Sequence, residues 1–533
     1  MFLELQKMLF ESMPERRTLL AYQPKVEKQY KVQVFRNHSF ELIEHLMNAY
    51  LDFAQIGVSF VYSDYDDSFS FLELDLASDM VLIWIDTTRY NVSSVQDFLN
   101  GRVEQLRRRY LKPILIVPYG EELEICQSGV TVWNMTEVAE QLGSNFANRR
   151  TQAATGTALS GKAMLTISRE LGLRYLPAML YTPLKAVVVD FDNTLYDGVL
   201  GEDGIDGLRL THGHKRLQEE LKRLSRQGIF LCAVSKNDRA DIQELLNARR
   251  DFPLKESSFT KIEASWQEKT DSIQKIVSAL NIGLESIVFI DDNIGELTAV
   301  HLVLPQVKLI HALEDADVTC EILSYFPGML RVGQTQEDAI RKVDVTANED
   351  RRILQQELSH EDFIRSLDIR LTFDIQNPEQ AVRISELANK TNQFIFNYKR
   401  YSQAEVEKLI RSPEYAIVTV SLSDRLSSSG LIGVCVGRQE SECVVLEECF
   451  ISCRALGRGI DDVIVCTAIQ CILRQFQQSK LLVRFQKGPR NKPAEDFVQS
   501  HLHDFLNAPK EFFYEIPNSL LKIQILNHRR KEG

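Results

Sequence analysis

Residues 187–194 read VVVDFDNT, and this stretch decides the fold of the chain around it. The β-branched run predicts a buried parallel strand that ends at Asp190, where open α/β sheets place their chemistry. Asp190 and Asp192 face the same way because alternate strand positions do. An aspartate that attacks phosphate needs such a second acid, together with Mg²⁺ to neutralise the phosphate. The alternative is an acidic turn after a core strand.

A second predicted strand, residues 228–234 (GIFLCAV), ends in SKND and places the Ser235 hydroxyl where a phosphate oxygen would lie. Downstream, Lys269 opens a helical pattern, and its ammonium group can neutralise a phosphate and the aspartate together. Any one of these features could belong to an ordinary surface, but their order along the chain argues against coincidence.

A further predicted strand, residues 286–290, ends in Asp291 and Asp292, a carboxylate pair suited to an oxygen-ligated Mg²⁺. These four features, in this order along the chain, resemble the haloacid dehalogenase (HAD) superfamily. The resemblance implies a nucleophile at Asp190, a general acid/base at Asp192 and a catalytic Lys269. It implies substrate binding by Thr194, Ser235, Lys236 and Asn237, and metal binding by Asp190, Asp192, Asp291 and Asp292.

The gaps between Asp190, Ser235 and Lys269 predict an open site. The gaps are 45 and 34 residues, one strand–helix unit needs ~30, and neither gap leaves room for an inserted cap domain. An open site suits a phosphate that is presented on a large carrier or by a partner domain.

The composition is that of an ordinary globular protein, with 533 residues, 44% hydrophobic and 26% charged. The formal net charge of −12 argues against non-specific nucleic-acid binding. We find no apolar run long enough for a bilayer and no secretion signal, so we expect a cytoplasmic protein with no membrane or nucleic-acid partner. Nine cysteines without a CxxC pair predict reduced, mostly buried thiols rather than zinc.

We expect an α/β protein of three modules, 1–180, 181–345 and 346–533. The patterns predict strands at 31–35, 80–85, 113–117, 415–420, 431–436 and 444–450, and helices at 41–53 and 460–476. A charged helical connector is expected at 331–369. His38 and Ser39 have no hydrolase motif around them, so we expect a scaffolding or docking role for the first module.

The third module carries CRALGRG at 453–459, between a predicted strand and a predicted helix. Arg454, Gly457 and Gly459 bring bare backbone N–H groups to a helix N-terminus, which suits an anion. The pattern resembles the pantetheine-phosphate loop of the GNAT acetyltransferase fold. The alternative is a glycine-rich turn in a domain that binds nothing.

The motifs VVVDFDNTLYDGVLGEDG, SKND, FIDDN, ANKTNQFIFNYKRY and SCRALGRG together closely resemble the FkbH-like proteins. That resemblance implies an SGNH-like first module, a capless HAD module and a GNAT-like third module. It also implies that a glyceryl unit from 1,3-bisphosphoglycerate is loaded onto an acyl carrier protein for polyketide assembly. The implied cofactors are Mg²⁺ and the phosphopantetheine arm of the carrier.

The acceptor cysteine is left open by the sequence. Cys453 matches the cysteine of the SCR motif and stands beside Arg454, which favours a thiolate. Cys232 is expected to pack in the core, and a reaction without a covalent cysteine is an equal alternative. Two other functions compete: a plain Mg²⁺-dependent phosphatase whose third module only binds, and a degenerate scaffold, which the intact HAD positions disfavour.

Overall fold

The computed structural model describes residues 2–65, 70–127, 129–181, 183–280, 282–331, 347, 351, 354–355, 358–391, 393–452, 455–456, 458–488, 491–516 and 521–528. The chain forms two compact units. The first comprises Met1–Ile276 and Gly283–Gln334, and the second comprises Val277–Ile282 and Thr335–Gly533.

The first unit opens with a five-stranded parallel sheet of order β2-β1-β3-β4-β5. Its strands are β1 Tyr30–Arg36, β2 Val58–Tyr62, β3 Met80–Asp86, β4 Ile114–Tyr119 and β5 Val130–Val132. The helices are α1 Phe2–Phe10, α2 Arg16–Ala21, α3 Glu41–Phe53, α4 Val95–Arg109, α5 Thr136–Leu142, α6 Gln152–Thr155, α7 Gly161–Glu170 and α8 Leu176–Leu180. Every residue of β3 is buried, because alternate side chains enter two different hydrophobic clusters on the two faces of the sheet.

The same unit contains a second parallel sheet of order β10-β9-β6-β7-β8. Its strands are β6 Ala186–Val189, β7 Phe230–Ser235, β8 Lys261–Ala264, β9 Ile287–Asp291 and β10 Lys308–His311. The helices are α9 Leu200–Gly207, α10 His212–Arg226, α11 Arg239–Ala248, α12 Lys269–Leu280, α13 Ile294–Val303 and α14 Ala316–Ser324. Helix α10 is strongly amphipathic: Leu217, Leu221 and Leu224 are buried, while the charged residues between them reach the surface.

The second unit is built on an eight-stranded mixed sheet of order β17-β16-β15-β14-β13-β11-β18, with β12 paired to β15. Its strands are β11 Arg370–Ile375, β12 Phe394–Ile395, β13 Tyr415–Ser423, β14 Ser428–Gln439, β15 Val444–Ile451, β16 Lys480–Val483, β17 Lys510–Glu511 and β18 Lys522–Asn527. The helices are α15 His360–Leu367, α16 Ala381–Lys390, α17 Gln403–Arg411, α18 Asp461–Phe476 and α19 Lys492–Phe497. Strands β11 and β18, and β15 and β16, run parallel, and the other paired strands run antiparallel.

The α/β class is confirmed, with two parallel sheets and a further mixed sheet. The predicted helix 41–53 matches α3 at both ends. The predicted strand 228–234 lies two residues too early at its start, because Gly228 takes a positive φ of 86° in the turn after α10 and cannot begin the strand. The module boundaries at 180 and 345 stay predictions. Most of the predicted connector lies outside the described residues, and α15 is the helix that the structure describes within it.

Of the eight described cysteines, Cys126 is exposed and the other seven are buried, and none of these eight forms a disulfide. Burial raises the pKa of Cys232, which lies in the middle of β7, to about 12. That thiol packs in the core, as the sequence predicts. No helix within the described ranges combines the length and the apolar character needed to cross a membrane.

Candidate active site

Three carboxylates meet at the C-terminal edge of the second sheet. Asp190 follows β6, Asp291 ends the neighbouring strand β9, and Asp292 follows it. The register that pairs Val189 with Ile290 brings the two strand ends side by side. One oxygen from each carboxylate lies within 4.8 Å of the others. Asp190 and Asp291 are buried and Asp292 is half-buried, so the cluster is open on one side.

Lys269 enters this cluster from the first turn of α12. Its Nζ lies 2.6 Å from Asp291 Oδ2 and 3.0 Å from Asp190 Oδ2. Burial raises the pKa of Asp190 to about 8, although the lysine works against this rise, and burial also raises the pKa of Asp291. Burial alone would lower the pKa of Lys269, but the two carboxylates outweigh that effect and raise it. The single positive charge of Lys269 therefore cannot balance the negative charges of both buried carboxylates when both are ionised.

The donor set fits a magnesium ion. Mg²⁺ is bound through carboxylate oxygens, and three of them converge here around a single protein cation. A divalent cation would stabilise the ionised forms of carboxylates whose pKa values burial raises. Asp190, Asp291 and Asp292 are the residues that would hold it.

Asp192 stands apart from that group. Its Oδ1 accepts hydrogen bonds from the Tyr196 hydroxyl at 2.7 Å and from the Leu200 backbone N–H at 2.9 Å. Its Oδ2 accepts from Asn237 Nδ2 at 2.7 Å. These hydrogen bonds hold the Asp192 side chain in one orientation. Its role as a metal ligand stays a prediction. Asn193 directly follows Asp192 and takes a φ of 50°, in the left-handed region that asparagine tolerates.

The predicted substrate binders are Ser235, Lys236 and Asn237 at the end of β7 and Thr194 in the turn after β6. Ser235 is buried, and its Oγ accepts from Asn237 Nδ2 at 2.9 Å. Lys236 is turned toward α13, where its Nζ lies 2.5 Å from Glu296 Oε1. Thr194 is buried, and its Oγ1 has no hydrogen-bond partner among the described residues. Asn237 therefore contacts both Asp192 and Ser235, whereas Lys236 would have to leave Glu296 to reach a ligand.

We expect Asn237→Ala to lower kcat by about tenfold, because Asp192 loses the donor that fixes Oδ2 and a hydrogen bond to a charged group is worth ~1.5–3 kcal/mol. Steady-state phosphate release measures the effect. Asn247→Ala, an exposed asparagine on α11, is the matched control and should leave kcat unchanged. Equal rates for the two variants would contradict the role assigned to Asn237.

Several contacts of the site could not be found from the sequence. Tyr196 and Leu200 hold Asp192, and His311 Nε2 lies 3.0 Å from the backbone oxygen of Asp292. His311 ends β10 and is itself held through its backbone by Gln6, which lies 305 residues away in the chain. Of these contacts, only the one made by Tyr196 could have been predicted, because Tyr196 follows Asp192 by four positions in the same turn.

The site has no inserted domain over it. Residues 190–268 are all described, and α9, α10 and α11 are the α-helices that they contain. Trp266, three residues before Lys269, is 71% exposed, and its Nε1 donates to Asp238 Oδ1 at 3.3 Å. The structure therefore agrees with the spacing argument for an open site.

The predicted anion cradle of the third module is described only in part. Cys453, Arg454 and Gly457 lie outside the described residues. Gly459 is described with a φ of +70°, and a Cβ there would lie 2.4 Å from the His360 ring. The helix that follows begins with Asp461 and Asp462, and burial with the neighbouring Asp462 raises the pKa of Asp461 to about 6.

Two carboxylates in the first turn oppose a phosphate at this helix N-terminus. The described part of the cradle therefore does not fit the phosphate of a pantetheine arm.

His38 follows β1 in the first module and is fully buried. Its ring stacks on Trp84 with centroids 4.8 Å apart, and its Nδ1 lies 3.0 Å from Thr157 Oγ1. Burial, with a smaller contribution from Arg89, lowers the pKa of His38 to about 3. A substrate could not meet this imidazole in the present conformation.

This histidine predicts a pH-dependent stability. Below pH ~6.5 His38 is protonated in the unfolded chain, whereas in the folded chain it stays neutral down to about pH 3. The free energy of unfolding therefore decreases as the pH is lowered, by about 1.4 kcal/mol per pH unit in that window. Between pH 7 and 5, the wild type should lose about 2 kcal/mol more than His38→Gln in denaturant unfolding of the first unit. Equal losses would show that the buried ring does not drive the acid sensitivity.

No protein-family model matches the chain, and no curated protein sequence does. Solved structures do match. The N-terminal part of a Bacteroides fragilis protein containing a phosphatase domain, complexed with Mg, is 19% identical, covers 62% of this chain and 99% of that chain, and has a TM-score of 0.44. The 3-deoxy-D-manno-octulosonate 8-phosphate phosphatase of Moraxella catarrhalis is 17% identical over 29% of this chain and 92% of that chain, with a TM-score of 0.20.

A spermidine N-acetyltransferase of Vibrio cholerae is 15% identical over 25% of this chain and 77% of that chain, with a TM-score of 0.20. At such identities and TM-scores these likenesses identify no function, so any function has to be inferred from the residues of the site.

Proposed function

We propose that the protein is a Mg²⁺-dependent phosphatase of the HAD type. The observation that supports this most strongly is the meeting of Asp190, Asp291 and Asp292 within 4.8 Å around the Lys269 ammonium at the C-terminal edge of a parallel sheet. Clustered acids with pKa values shifted by burial are typical of catalytic sites. When bound, the metal would neutralise charge on the phosphate and polarise it for attack.

The residues of the chain have distinct tasks in this reaction. An oxygen of Asp190 forms a bond to phosphorus as the bond to the leaving oxygen breaks, and Asp192 gives that oxygen a proton. Asp192 then takes a proton from water, whose oxygen attacks phosphorus, releases phosphate and restores the Asp190 carboxylate. Lys269 balances the negative charge on both carboxylates and on the phosphate. We assign Ser235 as a donor to a phosphate oxygen, because its hydroxyl shares the Asn237 amide with Asp192.

The finer proposal concerns the substrate. The resemblance to the FkbH-like proteins implies a phosphorylated three-carbon unit that ends as a glyceryl group on an acyl carrier protein, and the open site supports a phosphate held on something large. An acyl phosphate is a reactive mixed anhydride that a thiol can attack without further activation. The described start of α18 gives no support to a pantetheine site there, so this proposal depends on the sequence motifs and on the open site.

Intact-mass analysis of an acyl carrier protein incubated with this protein, Mg²⁺ and 1,3-bisphosphoglycerate tests the finer proposal. A carrier that gains a glyceryl mass supports loading. Release of phosphate with an unmodified carrier would overturn loading and favour the alternative, a phosphatase with a binding-only third module. With Asp190→Asn, loading predicts that a phosphoglyceryl group stays trapped on protein.

A further inference from the structure

A concave basic surface lies on the first unit, outside the candidate active site. It is a cavity of about 480 Å³ between α10 and the segment 250–255 that follows α11. Its lining contains five cationic and two acidic side chains. The cations are Lys215, Lys222, Arg226, Arg250 and Lys255. This excess of positive charge stands out in a chain with a net charge of −12.

The cationic groups of this basic pocket are free to meet a ligand. Lys222 Nζ donates to Pro253 O at 3.0 Å and Lys255 Nζ donates to Arg249 O at 2.7 Å, so each ammonium is anchored by a neutral carbonyl. Among the described residues, none of the five cations lies within ion-pair distance of a carboxylate. Each anchored ammonium has three donors and spends one on the anchor.

One of the two acids in the lining is already neutralised. Asp251 receives both arms of the Arg249 guanidinium, with Nε to Oδ1 at 2.9 Å and Nη2 to Oδ2 at 2.8 Å. That pairing, with a smaller contribution from Lys255, lowers the pKa of Asp251, so the carboxylate stays ionised beside Arg249. Glu219 is the other acid of the lining. The field that a ligand meets is therefore more positive than the residue types alone indicate.

The pocket is separate from the phosphate-transfer site. Phe252 lines it, and its ring stacks on Tyr196 with centroids 5.8 Å apart. The Tyr196 hydroxyl points to Asp192. A second tie is Gln218, which donates to Leu195 O and accepts from Leu254 N. The basic pocket thus lies behind the turn that carries Asp192, and a ligand there would not occupy the place of the substrate.

We propose that the basic pocket binds a small molecule carrying two or more phosphate groups. Its volume falls within the ~300–1,000 Å³ of small-molecule pockets. Its ligand groups are point-charged ammoniums and forked guanidiniums, the donors that proteins use for phosphate. A single phosphate could contact only some of the five cationic side chains, whereas a molecule with several phosphates can contact more of them at once.

Isothermal calorimetry with inorganic tripolyphosphate, in buffer freed of divalent metal on a chelating resin, tests this proposal. We expect one saturable site, weakened by added salt because the contacts are ionic and exposed. Arg226→Glu combined with Arg250→Glu should weaken it roughly a hundredfold, since each lost charged contact is worth about a factor of ten or more. Both arginines are exposed, so the double variant should fold.

Arg149→Glu combined with Lys162→Glu makes the same charge change on exposed residues elsewhere and should leave the affinity within a factor of about two. Lys269→Met, which removes the cation of the active site, should also leave it unchanged. Loss of binding in Lys269→Met but not in the pocket variant would place the ligand in the active site and overturn the proposal. Absence of saturable binding, or binding of a glutamate-rich peptide in place of tripolyphosphate, would overturn it as well.

Discussion

Asp190→Asn is expected to lower the rate of phosphate release by about four orders of magnitude or more, because it removes the oxygen that attacks phosphorus and one ligand of the metal together. Asparagine has the shape of aspartate, and Lys269 keeps Asp291 at 2.6 Å, so the fold should persist. Single-turnover phosphate release measures the rate, and circular dichroism melting checks the fold.

Asp206→Asn is the matched control for this variant. Asp206 is an exposed acid of α9 in the same part of the chain, and its replacement should leave the rate unchanged. If Asp190→Asn is folded and retains a tenth or more of the wild-type rate, Asp190 is not the nucleophile.

The second unit has a buried ion cluster on which its stability should depend. The Asp424 side chain is fully buried and lies 2.8 Å from Arg351 and 3.2 Å from Arg458, whose side chains are 5% and 3% exposed. Burial opposes the ionisation of Asp424, but the two guanidiniums outweigh burial and hold its pKa below the usual range. Asp424→Ala should destabilise the unit by about 3–5 kcal/mol, because it leaves two buried cations without their carboxylate partner.

Hydrogen exchange of β13 and β14 measures this loss within the second unit, where a whole-chain melt would mix two units. Asp368→Asn serves as the comparison, since Asp368 is a surface partner of Lys522 whose side chain is 47% exposed and asparagine tolerates its φ of 49°, and exchange should change little. Equal protection in the two variants would show that the buried cluster contributes no more than a surface pair.

The strand that ends at Asp190 could be predicted because a run of β-branched residues followed by two acids has few other structures. Helix α3 could be placed at both ends because its apolar residues repeat at the helical period. The parallel order of the strands predicted that the side chains at their C-terminal ends lie at one edge of the sheet. Asp190, Asp291 and Lys269 are in contact there.

Other features depend on contacts that no local pattern encodes. Strand β18 is exposed at almost every position, so it lacks the alternation that marks a half-buried strand. The orientation of Asp192 depends on Asn237, 45 residues away, and His311 is held by Gln6 from the other end of the unit. The acids at the start of α18 were visible in the sequence, but their burial, which sets their effect on an anion, was not.

The central claim is that the Asp190 carboxylate accepts the phosphoryl group from the substrate. Acid quenching of the enzyme during turnover, followed by peptide mapping, tests this claim most directly. During turnover with Mg²⁺ and a phosphate ester or acyl phosphate, the peptide that contains Asp190 should gain one phosphoryl group, and the gain should vanish when Mg²⁺ is left out. Phosphate release with an unmodified Asp190, or a phosphoryl group on another residue, would contradict the account.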